Sequence, residues 1–331
     1  MSTRATIEEV AAAAGVSRST VSRVVNGSSA VSPEALESVR TAIAQLNYVP
    51  NRAARSLASR QTMAIALIVP EDTTRFFGDP FFASIVAGIT GALSGTDYLL
   101  NLLVANDDPG NKMTSFVRNG GVDGALVVSH HISDAFIDQI VDAVPVVYGG
   151  RPVHPRENDF YVDVDNFAAS RAATEHLIAR GGTRIATVSG PMTMLPAIDR
   201  IQGFRAALAD AGLSPFAEAE GDYTDESGVV AVERILEVGV PDAIFVASDL
   251  MARGVLRALR AAGLRVPDDV AVAGFDDSPV AAVSDPPLTT IRQPMYGQGE
   301  TMAKVLLERL AGGSPERITM LPTELVVRQS A

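Results

Sequence analysis

A chain of 331 residues, 47% hydrophobic and 20% charged, has the mass for two or three folding units and the composition of a globular protein, which excludes a stapled miniature, a fibre and a disordered chain. It holds no cysteine, so disulfides, thiolate metal sites and cysteine nucleophiles are excluded, and a reducing cytosolic home fits. The net charge of −12 argues against a polyanionic partner, yet residues 1–60 carry seven arginines against four glutamates, a local +3 that leaves −15 on the rest. Such segregation points to a nucleic-acid-binding end on an acidic body.

The N-terminus, MSTRATIEEV, has no apolar stretch behind a basic start. The longest apolar run, Met63 to Val69, falls far short of the roughly 18 residues a bilayer span needs. A cytoplasmic protein with no membrane partner is expected. Thr6 and Glu9 have capping-box spacing, which predicts a helix over Ile7 to Ala14 that Gly15 stops. Ser17 can cap a second helix over Arg18 to Val25, closed by Asn26 and Gly27. Ser32 followed by Pro33 opens a third, running to about Leu46. Ile7, Val10, Ala11, Val16, Val21, Val24, Val39, Ile43 and Leu46 recur at three- and four-residue spacing and supply one small core. Two short helices joined through a glycine turn read as a helix-turn-helix. Its second helix would offer Arg18, Ser19, Thr20, Ser22 and Arg23 to base edges or phosphates, against the plainer reading of a helical cap with solvated arginines.

Residues 51–60, NRAARSLASR, combine an N-cap asparagine, good helix formers, three arginines and no acid. So short a helix is marginal alone, and a cationic segment tipped with Leu57 reads either as a plain linker or as a piece that orders on DNA, with the leucine wedged into the minor groove. The run from Thr6 to Ser59 resembles the headpiece and hinge of the LacI (lactose-repressor) family: the pattern VAxxAGVSxxTVSRVxN stands at Val10 to Asn26, and LNYxPNxxARxL at Leu46 to Leu57. The resemblance implies a homodimer on a palindromic operator in double-stranded DNA, contacted through Ser17, Arg18, Ser19, Thr20, Ser22, Arg23 and Asn26 of the headpiece. It also implies contacts from Asn51, Arg52, Ala54, Arg55 and Leu57 of paired hinge helices.

From Thr62 onward, apolar runs of strand length alternate with amphipathic helices. The runs 63–69, 98–105, 124–129 and 145–150 form one series, with helices at 80–94, 110–119 and 133–142. The runs 184–190, 243–248 and 270–275 form a second, with helices at 197–211, 227–238 and 249–262. Alternation of this kind predicts parallel α/β sheets covered on both faces, in two lobes, with a ligand in the cleft beyond the strand ends. Aromatics, arginines and a carboxylate gather there: Asp79, Phe81, Phe82, Arg151, Arg200, Ser248 and Asp276. Aromatic faces stack on sugar C–H surfaces, and arginine and carboxylate bond vicinal hydroxyls. Taken singly, Phe81 and Phe82 could be core, Arg151 a surface turn residue and Asp249 a helix cap.

The body also resembles the family's effector domain, a two-lobed type I periplasmic-binding-protein-like fold, through VDVDN, RIQGF at 200–204, FVASDLMARGVLRAL at 245–259, VAVAGFDD at 270–277 and PPLTTIRQP at 286–294. It implies effector contacts at Asp79, Phe81, Phe82, Arg151, Arg200, Tyr223, Ser248, Asp276 and Gln293, and a monosaccharide or close derivative as effector. Asp79 and Ser248 stand where sugar-binding members often carry asparagine. The implied division is a headpiece at 1–50, a hinge at 51–61, one lobe from 62–162 and 292–322, and the other from 163–291 and 323–331, with crossings near 162–164, 290–292 and 321–324. The chain ends at VVRQSA without a leucine-heptad tail, so a dimer is expected.

An enzyme would need a reactive constellation. The four histidines show no metal-ligand spacing, and GxSxG, GxxxxGKS and a strand-linked GxGxxG do not occur. Asp163 and Asp165 share one side of an extended segment, but nothing in the sequence separates their acidities. Neither a metal nor a cofactor is expected. A stand-alone sugar-binding transport component or a sugar-processing enzyme on the same fold are the alternatives, and the cationic headpiece disfavours both.

Overall fold

The computed structural model describes residues 5–25, 30–48, 61–104, 106, 108 and 110–331. They form two compact units, one ending at Thr62 and the other beginning at Met63.

In the first unit, α1 (Ile7–Ala14) opens on a complete capping box, with Glu9 N–H donating to Thr6 Oγ1 at 3.2 Å and Thr6 N–H to Glu9 Oε2 at 2.7 Å. Gly15, at φ 66°, takes the left-handed turn that ends it. Ser17 then starts α2 (Arg18–Val25) by accepting the Thr20 N–H at 3.2 Å, and Ser32 caps α3 (Pro33–Gln45) through Ala35. The core is Val10, Ala11, Val21, Val39 and Ala42, with Ile7, Val16, Val24, Ile43 and Tyr48 packed around it. Leu46 is exposed, because it follows the last turn of α3, so the core ends one helical step earlier than its spacing predicts.

The second unit holds two six-stranded sheets. β1 (Ala64–Val69), β2 (Leu99–Val104), β3 (Gly124–Val128), β4 (Val146–Gly149), β5 (Phe160–Val164) and β11 (Ile318–Leu321) form the first, in the order β2-β1-β3-β4-β5-β11, with every pair parallel. Its helices are α4 (Thr73–Gly78), α5 (Pro80–Leu93), α6 (Lys112–Arg118) and α7 (Phe136–Val141). The second sheet is β7-β6-β8-β9-β10-β12, built from β6 (Ile185–Ser189), β7 (Glu218–Glu220), β8 (Ala243–Val246), β9 (Ala271–Asp276), β10 (Thr289–Arg292) and β12 (Glu324–Val326). Around it stand α8 (Asn166–Ala179), α9 (Leu195–Asp210), α10 (Asp225–Val238), α11 (Asp249–Ala261) and α12 (Pro279–Val283). The last pair, β10 with β12, is antiparallel, an exception to an all-parallel expectation at the one strand that returns directly from the other sheet.

Each sheet has an apolar cluster on either face, which is why its strands read as unbroken apolar runs. The chain passes from the first sheet to the second after Val164, returns after Arg292 into α13 (Met295–Leu310), and passes again between Leu321 and Glu324. α13 packs against α5 of the first lobe at glycine contacts: a Cβ on Gly88 would lie 2.0 Å from the Tyr296 carbonyl oxygen, and one on Gly299 would lie 2.3 Å from that of Ile85. Only glycine permits backbones this close.

Candidate functional site

Between the lobes lies a cavity of about 600 Å³, mouth included, at the carboxyl ends of both sheets, where an open α/β sheet places its ligand. From the first lobe come Arg75, Asp79, Phe81, Ser129, Gly149 and Gly150; from the second come Asn166, Met194, Pro196, Arg200, Tyr223, Ser248 and Asp276. Asp163, Gln293 and Gln298 stand at the first two of the three passages. Seven of the nine residues named from sequence therefore meet here.

Each polar wall residue is held by its own element. Arg200, 6% exposed on the first turns of α9, donates from Nε to Asn166 Oδ1 at 2.9 Å and from Nη1 to the Ala247 carbonyl at 2.6 Å, and its guanidinium carbon lies 3.6 Å from the Phe275 ring centroid. Asp276 ends β9 at φ 121°, a backbone region costly for a non-glycine residue, and accepts Gln293 Nε2 at 2.6 Å. Burial pushes its carboxyl up to about 7, with Arg200 pulling it down and Asp79 pushing it up. Asp79 caps α5 by accepting the Phe81 N–H at 2.9 Å, and burial raises its carboxyl too, against the pull of that bond and of Arg75. Burial likewise raises Asp163, whose oxygens accept the Val164 and Arg151 amides at 2.8 and 2.9 Å. Acidic walls raised by burial, with Arg200 already engaged, favour a neutral ligand rich in hydroxyl donors.

Two residues named from sequence stand elsewhere. Phe82 is 1% exposed in the first lobe's core, tilted against Phe76 at 5.1 Å, because adjacent positions on α5 cannot both face the cleft; Phe81 does. Arg151 turns its guanidinium to Asp199 of the second lobe, at 2.9 and 3.0 Å, so it spans the cleft mouth and does not line the cavity. Asp249 is not the cap of α11: Ser248 is, accepting the Met251 N–H at 3.3 Å, while Asp249 is fully buried under Thr290 and the Ser278 amide. Asp165 caps α8, so Asp163 and Asp165 do separate structural work.

Sequence reasoning missed Arg75, Ser129, Asn166 and Gln298 as cavity residues. Ser129 follows β3 directly and Asn166 stands two residues past β5, so the strand-end rule would have found them; Arg75, on the six-residue helix α4, carries no periodic signal.

On the first unit, Ser17, Arg18, Ser19 and Arg23 are exposed around α2, with Thr20 and Ser22 half-buried. Ser17 Oγ lies 2.8 Å from Ser19 Oγ and 2.9 Å from Thr20 Oγ1, and Arg18 Nε is 3.2 Å from Glu8 Oε1. Asn26, Asn51, Arg52, Ala54, Arg55 and Leu57 lie outside the described residues.

Residues 6–51 match the model of the bacterial regulatory proteins of the lacI family, and residues 174–331 match the periplasmic binding protein-like domain. The HTH-type transcriptional regulator CelR of Thermobifida fusca is 45% identical over 99% of this chain and 98% of its own. The chain belongs to the LacI family. The ribose operon repressor of Escherichia coli K12 is 36% identical over 92% of this chain and 93% of its own. Among solved structures, a CelR-cellobiose complex is 43% identical with a TM-score of 0.78, covering 99% of this chain and 100% of that one. The lac repressor dimer bound to operator and the anti-inducer ONPF is 32% identical with a TM-score of 0.86, covering 99% of each. As a LacI-family member the protein is a DNA-binding transcriptional regulator with a helix-turn-helix region and a two-lobed α/β domain. Among the described residues no helix is long and apolar enough to cross a membrane.

Proposed function

We propose that this regulator works in the cytoplasm as a homodimeric repressor on a palindromic operator, and that a neutral sugar in the interlobe cavity controls it by binding, with no catalytic step. The observation that carries the reading is the convergence of Arg200, Asp276 and Gln293 with Asp79, Phe81 and Tyr223 on one cavity at facing strand ends. Asp276 suits two adjacent hydroxyls and Phe81 the apolar face of a sugar ring. The cellobiose named with CelR and the ribose operon of the second relative support a mono- or disaccharide. Ser17, Arg18, Ser19, Thr20, Ser22 and Arg23 would meet one operator half-site, together with Asn26, while Asn51, Arg52, Ala54, Arg55 and Leu57 would meet its centre.

The test is fluorescence anisotropy of DNA from upstream of the protein's own gene, titrated with and without cellobiose, glucose and ribose. A sugar-dependent change in operator affinity is expected. Tight DNA binding that no neutral sugar alters would overturn the effector half of the reading, and equal affinity for random DNA would overturn the operator half.

A further inference from the structure

Glu71 follows β1, is 6% exposed, and is not itself a wall of the cavity. Three donors meet on its Oε1: Arg75 Nη1, Ser129 Oγ at 2.7 Å and His131 Nε2 at 3.1 Å. Two of those donors, Arg75 and Ser129, line the cavity. Two of them also reach the opposite lobe. The Arg75 guanidinium carbon lies 5.0 Å from the Tyr223 ring centroid, and His131 Nδ1 lies 2.8 Å from Thr193 Oγ1. Beside that bond the Ile132 N–H donates to the Thr193 carbonyl at 2.8 Å. With Nε2–H donating to Glu71 and Nδ1 hydrogen-bonded to the Thr193 hydroxyl, hydroxyl, imidazole and carboxylate form one relay across the cleft.

A single buried oxygen thus holds both the groups that a ligand would touch and the groups that tie the lobes together. We propose that Glu71 is the positioning residue that couples occupancy of the cavity to closure of the lobes, an inference that rests on reading the cavity as the effector site. A ligand oxygen that draws Arg75 or Ser129 off Glu71 changes the acceptor available to His131, and the clasp on Thr193 strengthens or lets go accordingly. Arg151 with Asp199 bridges the lobes without Glu71, so the cleft keeps a second contact when the relay breaks. The coupling runs through side chains in direct contact, as a bias between lobe arrangements requires.

The decisive measurement is amide hydrogen exchange on the full chain without ligand. Glu71→Gln should raise the exchange rate of the Ile132 amide about tenfold while leaving the β1 amides unchanged. Thr193→Val, at an exposed position, should do the same, and the double variant should add nothing further. If Glu71→Gln fails to fold, Glu71→Asp, whose carboxylate is one methylene short, must show the rise. Ile132 exchange within about twofold of the parent in the folded variant, or additive effects in the double variant, overturns the proposal. With cellobiose as probe, Glu71→Gln should lose about tenfold of the sugar's effect on operator affinity. A parent that ignores every sugar would refute the effector reading, and the exchange measurement would still judge Glu71 by itself.

Discussion

Gln293 Nε2 donates to Asp276 Oδ1 at 2.6 Å inside the interlobe cavity, and this bond ties the acid at the end of β9 to the passage that carries the chain from β10 back into the first lobe. A ligand that bonds Asp276 therefore acts directly on a crossing between lobes. Asp276→Ala should lower sugar affinity by about 2 kcal/mol or more, because hydroxyl donors are left buried without an acceptor. Arg200→Ala should do likewise, since Arg200 is packed on Phe275 and fixed by two bonds. Calorimetry with the sugar that shifts operator affinity checks both; affinity within twofold of the parent in the two variants would remove the cavity from consideration.

The same carboxyl sets a pH dependence. An aspartate in an unfolded chain titrates near 3.9, and burial raises Asp276 to about 7 in the fold. The folded state holds the proton more tightly, so the stability this group contributes is present below about pH 4 and is lost as pH rises to about 7. Asp276→Asn removes the titration and keeps an oxygen for Gln293. Thermal melts of the unliganded protein should show the variant more stable than the parent at pH 8, with the gap narrowing toward pH 5. An equal gap at both values would contradict the assignment.

Arg18 pairs with Glu8 at 3.2 Å, both side chains well exposed, a pair of little energetic weight that DNA can replace. Arg18→Ala should leave the first unit folded and weaken specific operator binding by about 1–3 kcal/mol if its fork reads guanine. Anisotropy on operator and random duplexes separates the cases, and an equal loss on both makes Arg18 a phosphate contact.

Where α5 meets α13, a methyl on Gly88 would collide with the Tyr296 carbonyl and the Glu300 amide, at 2.0 and 2.8 Å. Gly88→Ala must push the two helices apart and should cost about 1–3 kcal/mol. Urea unfolding followed by circular dichroism measures it, and an unchanged midpoint would mean that the helices separate without strain.

Much of the fold was written locally. The capping box at Thr6 and Glu9, the left-handed Gly15 and the Ser32-Pro33 start are interactions among residues three or fewer apart, so α1, α2 and α3 were legible from residue order. The apolar runs at 64–69, 124–128 and 185–189 were legible because strands covered on both faces admit no polar alternation. The strand-end rule brought Asp79, Phe81, Arg200, Ser248 and Asp276 to notice for the same reason.

Tertiary packing alone decided the rest. Which of Phe81 and Phe82 faces the cleft depends on how α5 rotates against α13, and that rotation is set by Gly88 and Gly299, 211 positions apart in residue number. Arg151 leaves the cavity because Asp199 of the opposite lobe stands within 3.0 Å, a partner that its own turn does not reveal. Asp249 becomes a buried anchor because Thr290 and Ser278 arrive from β10 and from the turn after β9. Glu71 reads as an ordinary acid after a strand; Arg75 is four residues along, but Ser129 and His131 reach it only when β1 and β3 lie side by side. Local order supplies caps, turns and apolar periods, whereas the direction of a polar side chain at a cleft follows from partners remote in the chain, whose positions exist only once the two sheets have formed.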